Sequence, residues 1–122
     1  IAGAEAQILY YTGRRSASRF AQVYPFMSAY PRYMEFQKIT WEEIQRASPE
    51  VVIFIDLATS QLWDGKAELW IYQKLFRKLQ TEYTLTAVMD IALPQGKLIE
   101  TKGKRQIIKA GKKFPIRVYM RK

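Results

Sequence analysis

Asp90, Glu100 and Lys102 are the residues whose types and spacing point most directly to chemistry. They fall in the stretch Met89-Asp90-Ile91-Ala92-Leu93-Pro94-Gln95-Gly96-Lys97-Leu98-Ile99-Glu100-Thr101-Lys102-Gly103. Pro94 sets φ at the second place of a turn, and Gly96 permits the positive φ near its end. Strands are therefore expected on either side, at 83–91 and 97–102. Alternation puts positions 100 and 102 on one face, and Asp90 can approach them across the hairpin. Two carboxylates and the Thr101 carbonyl suit Mg²⁺, which binds through oxygen and keeps several waters. Lys102 is then placed to orient or deprotonate a metal-bound water, and the chemistry would be water attack on a phosphodiester. The plainer alternative is a hairpin whose acids pair with the lysines around them.

This stretch resembles the core of the PD-(D/E)XK nuclease superfamily, in particular its phage-type junction-resolving endonucleases. In that family an Asp is followed, after about nine residues that include a Leu-Pro-x-Gly turn, by Glu-Thr-Lys-Gly. The resemblance is strong over about 15 residues and looser over perhaps 55. It implies that Asp90 and Glu100 are metal ligands and that Lys102 is the catalytic lysine. The family often adds a Glu from the preceding helix, and Glu68 is the matching candidate. Met89 stands where the family carries Pro, and residues 1–60 have no counterpart in that core.

Three further groups carry possible chemistry. The turn Gly13-Arg14-Arg15-Ser16, read as lying between a strand and a helix, could hold a phosphate on backbone N–H groups and guanidiniums. It matches neither the Rossmann nor the Walker pattern, and an ordinary turn with solvated arginines explains it as well. Asp56, with Thr59 and Ser60, follows the most apolar run and is equally suited to a site at a strand end and to capping a turn. Tyr10, Tyr11, Tyr24, Phe26, Tyr30, Tyr33 and Phe36 lie among four arginines, a combination that can stack bases or fill a core. Trp63 and Trp70, if exposed, would mark a partner surface.

Charge is distributed unevenly. The 122 residues carry a formal +9, and residues 1–96 are neutral. The excess lies in 97–122, where Lys97, Lys102, Lys104, Arg105, Lys109, Lys112, Lys113, Arg117, Arg121 and Lys122 face Glu100 alone. Such asymmetry points to nucleic acid or another polyanion. Lysines also guard a sheet edge against unwanted pairing. Interleaved Leu98, Ile99, Ile107, Ile108, Phe114, Ile116 and Val118 mark the segment as folded.

The elements that must position these residues follow from periodicity. Residues 7–12 read as a buried strand ending at Gly13, and 16–29 as a helix capped by Ser16. Residues 33–38 read as a second strand. Thr40 and Glu43 form a capping box for a short helix that stops at Ser48-Pro49. Val51–Ile55, the longest apolar run, reads as a central strand buried on both faces, as in parallel sheets. Asp64-Gly65 opens a helix through about Gln80 that carries Glu68 on its apolar stripe. Residues 105–110 read as a short helix or strand, and 114–120 as the final strand. Strand–helix alternation predicts an α/β domain: three αβα layers around a mixed, partly parallel sheet, with a C-terminal β-hairpin. Residues 1–6 read as a linker or trimmed terminus and 7–122 as a single domain.

The chain has no Cys and no His. That excludes disulfides, thiolate catalysis, Cys-zinc and iron–sulfur sites, and the usual imidazole base. Carboxylates, Lys, Arg, Tyr and Ser remain, with Mg²⁺ as the fitting metal. No apolar run approaches the roughly 20 residues of a membrane-spanning helix. Two functional classes stand. One is a basic domain contacting nucleic acid, with Mg²⁺-dependent cleavage as its sharper form. The other is a non-catalytic assembly module of a larger envelope, secretion or phage machine, bound to a protein partner.

Overall fold

The computed structural model describes residues 1–3, 5–90, 97–100 and 115–122, with the backbone alone at Ala58, Asp90 and 97–100. The elements run α1 (Gln7–Thr12), α2 (Tyr24–Met27), α3 (Tyr33–Ala47), β1 (Val51–Ile55), α4 (Ala58–Gln61), α5 (Trp70–Glu82), β2 (Tyr83–Asp90), β3 (Lys97–Glu100) and β4 (Ile116–Arg121). The four strands form one sheet in the order β1-β4-β2-β3.

Every ladder in that sheet is antiparallel, which overturns the expected mixed, partly parallel sheet. β1 and β2 do run in the same direction, as a strand–helix–strand unit requires. They are not neighbours, because β4 inserts between them and runs against both. Among the described residues the one parallel contact is the isolated bridge of Ala2 to Phe54. Among the described strands β1 is thus the outer one of the ladder and not its centre. Its apolar run misled because the N-terminal segment covers its free edge: Ala2 donates to the Ile53 carbonyl at 2.8 Å and accepts from the Ile55 N–H at 3.1 Å. Residues 2 and 3 are buried parts of the fold.

The layers also differ from the expectation of helices on both faces. Among the described residues, α5 lies on the sheet face that carries Phe54, α3 packs on α5, and α2 packs on α3. Phe54 meets Tyr72 edge-to-face at 5.6 Å and Phe76 at 4.9 Å between ring centroids. Val52, Leu75, Leu79, Tyr83 and Phe26 complete that core. Among the described residues no helix is long and apolar enough to cross a membrane.

Local chemistry explains the helices that periodicity misplaced. Residues 7–12 form α1 and not a strand, since Ile8, Leu9 and Thr12 also make one helical face. The Thr12 hydroxyl donates back to the Ile8 carbonyl at 2.6 Å. Residues 16–23 are irregular, and only α2, with Pro25 in its first turn, is helical in that region. Residues 33–38 begin α3, where the helix formers Met34, Glu35, Gln37 and Lys38 outweigh a weak alternation. Thr40 therefore sits inside the helix and donates to the Phe36 carbonyl at 2.7 Å. Glu43 turns to Arg19, accepting its backbone N–H at 2.9 Å and its Nε at 2.7 Å. α3 does stop at Ser48-Pro49, with Ser48 in the left-handed region.

Gln37 organises this arrangement. It is fully buried on the α3 face that carries Phe36, Thr40 and Ile44. Its amide donates to the Phe26 carbonyl at 2.9 Å and to the Glu68 carbonyl at 2.6 Å. Its oxygen accepts the Ile71 N–H at 2.9 Å, satisfying one orphan donor at the start of α5.

Candidate functional site

The hairpin residues come first. In the β2–β3 register Asp90 pairs with Lys97 and Glu100 pairs with Ala87. The two acidic positions are therefore three steps apart along the ladder, roughly 10 Å at 3.4 Å per residue. Lys102 lies outside the described residues, as do Lys104, Arg105, Lys109, Lys112 and Lys113. Of Lys97 only the backbone is placed, in β3 opposite Asp90.

Glu68 departs from its expected place. It is exposed in the loop before α5 and is not on the helix stripe. The cause is Asp64, which opens a turn where a helix was expected. Its carboxylate accepts the N–H groups of Lys66 at 2.8 Å and Ala67 at 3.0 Å, and reaches across to Ala29 at 2.7 Å. Gly65 follows at φ 77°. Those three backbone donors hold the Asp64 carboxyl below the usual carboxylate range. Among the described residues no group of three or more metal-ligating side chains converges.

The described cations of β4 and the Lys122 that follows it bond within the fold. Arg117 bonds the Asp56 carboxylate at 2.7 Å and lies over the Phe54 ring at 5.4 Å. Arg121 donates to the Ser48 carbonyl and hydroxyl, both at 2.7 Å. Lys122 donates to the Thr81 carbonyl at 2.8 Å. Asp56 is thereby the partner of a strand cation.

Ser60 and Gln61 enter a second set of contacts beside β1. The Ser60 hydroxyl donates to Glu5, and the Tyr72 hydroxyl donates to Gln61. Burial pushes the Tyr72 hydroxyl far above its ordinary value, with the Gln61 bond opposing. Among the described residues Glu5 Oε2 is a buried atom without a hydrogen-bond partner. A Cβ at Gly3 would lie 2.5 Å from that oxygen and 3.0 Å from Ile55 Cβ, so a larger residue there would displace the Glu5 carboxylate.

The Gly13–Ser16 turn takes a different form from the one expected. It follows the C-terminus of α1 and does not open a helix. Gly13, at φ 63°, donates to the Tyr10 carbonyl, and the Arg14 N–H reaches the Leu9 carbonyl at 3.1 Å. That is a Schellman cap, and it uses the N–H groups a phosphate would have taken. The side chains have another role. Arg14, Arg15 and Ser16 line a cavity of about 460 Å³ whose wall includes Ile8, Leu9, Phe20, Ile44, Val51 and Ile53. Periodicity could not reveal this cavity, because its wall comes from several segments far apart in the chain. Gln37 did leave a signal, as the lone amide on an otherwise apolar helix face.

Compared with known proteins, the chain matches no family model, no curated protein and no solved structure.

Proposed function

We propose that this chain is a polyanion-contacting domain whose partner is nucleic acid, engaged by the cations of residues 97–113. The observation that carries this reading is the charge distribution: Lys97, Lys102, Lys104, Arg105, Lys109, Lys112 and Lys113 stand against Glu100 alone. Arg117 and Arg121 of β4 and Lys122 after it already bond Asp56, Ser48 and Thr81 within the fold, so the proposal rests on the cations before them. Phosphate neutralisation by Lys and Arg drives such binding and needs no sequence preference.

The test is fluorescence anisotropy on duplex, junction and single-stranded DNA. The combined variant Lys104→Gln, Arg105→Gln, Lys112→Gln and Lys113→Gln should lose binding, whereas Arg77→Gln, at an exposed position of α5, should keep it. Cleavage with Mg²⁺ at Asp90, Glu100 and Lys102 is the sharper form of the same reading. A nicking assay in Mn²⁺ decides it: activity abolished by Asp90→Ala with affinity retained would establish it.

A second reading, a non-catalytic assembly module, is favoured by the exposed aromatics. Tyr10 and Tyr11 are 83% and 82% exposed, and Tyr24, Tyr30 and Trp63 are about half exposed. An acidic protein partner would leave DNA unbound and would be displaced by salt.

A further inference from the structure

The cavity beside β1 points to a small-molecule site separate from the basic segment. Its volume of about 460 Å³ lies within the range of roughly 300–1,000 Å³ common to small-ligand pockets. The wall is apolar and comes from both sides: Ile8 and Leu9 of α1, Ile44 of α3, Val51 and Ile53 of β1, and Leu75 of α5. Cations stand in the same lining. Arg14 and Arg15 are exposed, and among the described residues neither guanidinium has an ion-pair or hydrogen-bond partner. Ser16, Ser18 and Thr12 add hydroxyls, and Glu50 is the one acid in the lining. An apolar interior with two unpaired guanidiniums fits a ligand that is apolar along its body and anionic at one end.

We propose that this cavity binds a single-chain anionic amphiphile. Its alkyl chain lies between α1 and β1, and its carboxylate or phosphate head is held by Arg14 and Arg15. The cover over the chain is α1. It has six residues and buries none of them fully, far fewer than the roughly 12–15 at which an isolated helix becomes even marginal. It is held to the body through half-buried Ile8 and Leu9, the residues the alkyl chain would touch. Guanidinium planes suit both carboxylate and phosphate through paired N–H donors, so the head chemistry is common to fatty acids and to alkyl phosphates.

The experiment uses the full chain with laurate, dodecyl phosphate and dodecanol, each below its micelle concentration, read by calorimetry and by melting temperature. Saturable one-to-one binding of laurate or dodecyl phosphate, with a raised melting temperature, is the expected result. The stronger of the two identifies the head group. Arg14→Ala with Arg15→Ala should weaken the anionic ligand by about tenfold or more, as expected for lost charge-assisted bonds, and should leave dodecanol unchanged. Leu9→Trp, at a half-buried position of the cover, should block all three ligands without unfolding the chain. No saturable binding to the native protein would overturn the proposal, as would anionic binding indifferent to both variants. None of these outcomes bears on DNA affinity, so the two functional readings stand or fall apart.

Discussion

Gln37 couples four segments through one buried amide. Its bonds reach α2 at Phe26, the loop at Glu68 and the first turn of α5 at Ile71. Gln37→Met keeps nearly the same volume and leaves two carbonyls and one N–H unpaired. Unsatisfied buried groups cost about 1–3 kcal/mol each, so chemical denaturation should register a loss of about 3 kcal/mol or more. A loss below about 1 kcal/mol would contradict the role assigned to the amide. Asp64 carries a pH signature. Its carboxyl is depressed by three backbone donors, so the folded state binds its proton less readily than the unfolded chain. The stabilisation is complete above the ordinary carboxylate value of about 3.9 and is lost as pH falls through the lower folded value. Melting scans from pH 6 to pH 2.5 should show Asp64→Asn below the native protein at the upper end. The two curves should converge at the lower end. An equal gap at every pH would contradict this assignment. Residue types revealed Asp64-Gly65 as a turn signal. They did not reveal that the carboxylate would reach Ala29, 35 positions away, and delay the helix to Trp70.

At the scale of elements, β1 shows what an apolar run can and cannot say. Val51–Ile55 was legible as a strand because five consecutive apolar, mostly β-branched residues fit nothing else well. Its neighbours were not legible, because strand pairing across the chain depends on where β4 inserts. The two faces of β1 are now distinguishable. Phe54 is 3% exposed and stacked among Tyr72, Phe76 and Arg117, whereas Ile53 is half-buried on the cavity wall. Phe54→Ala should cost about 3–5 kcal/mol, and Ile53→Ala clearly less. Equal losses in denaturant titrations would place the packed face wrongly. The hairpin teaches the same lesson. The strands flanking Leu93-Pro94-Gln95-Gly96 were legible from turn chemistry, and β2 and β3 match them closely. Their register was not, and it sets Asp90 and Glu100 three steps apart. α1 differs from the buried strand expected because a short continuous apolar run such as Ile8–Tyr11 suits a buried strand and a short helix alike. Only the Schellman cap at Gly13 separates the two.

At the scale of the whole molecule, charge was the most legible property and fold topology the least. The neutrality of residues 1–96 and the imbalance after them need no structure to be seen. The cavity needed all of it, since no single segment encloses it. The central claim is that the cations of 97–113 meet phosphates, and counterion release measures that contact directly. Each neutralised phosphate contributes a slope of about −0.9 in log K against log salt on duplex DNA. The decisive measurement is duplex affinity across roughly 50–300 mM NaCl. At least four phosphate contacts predict a slope of about −3.5 or steeper, flattened by the four-residue Lys/Arg→Gln variant. A native protein that fails to bind at the lowest salt, or binds with a slope near zero, would contradict the account.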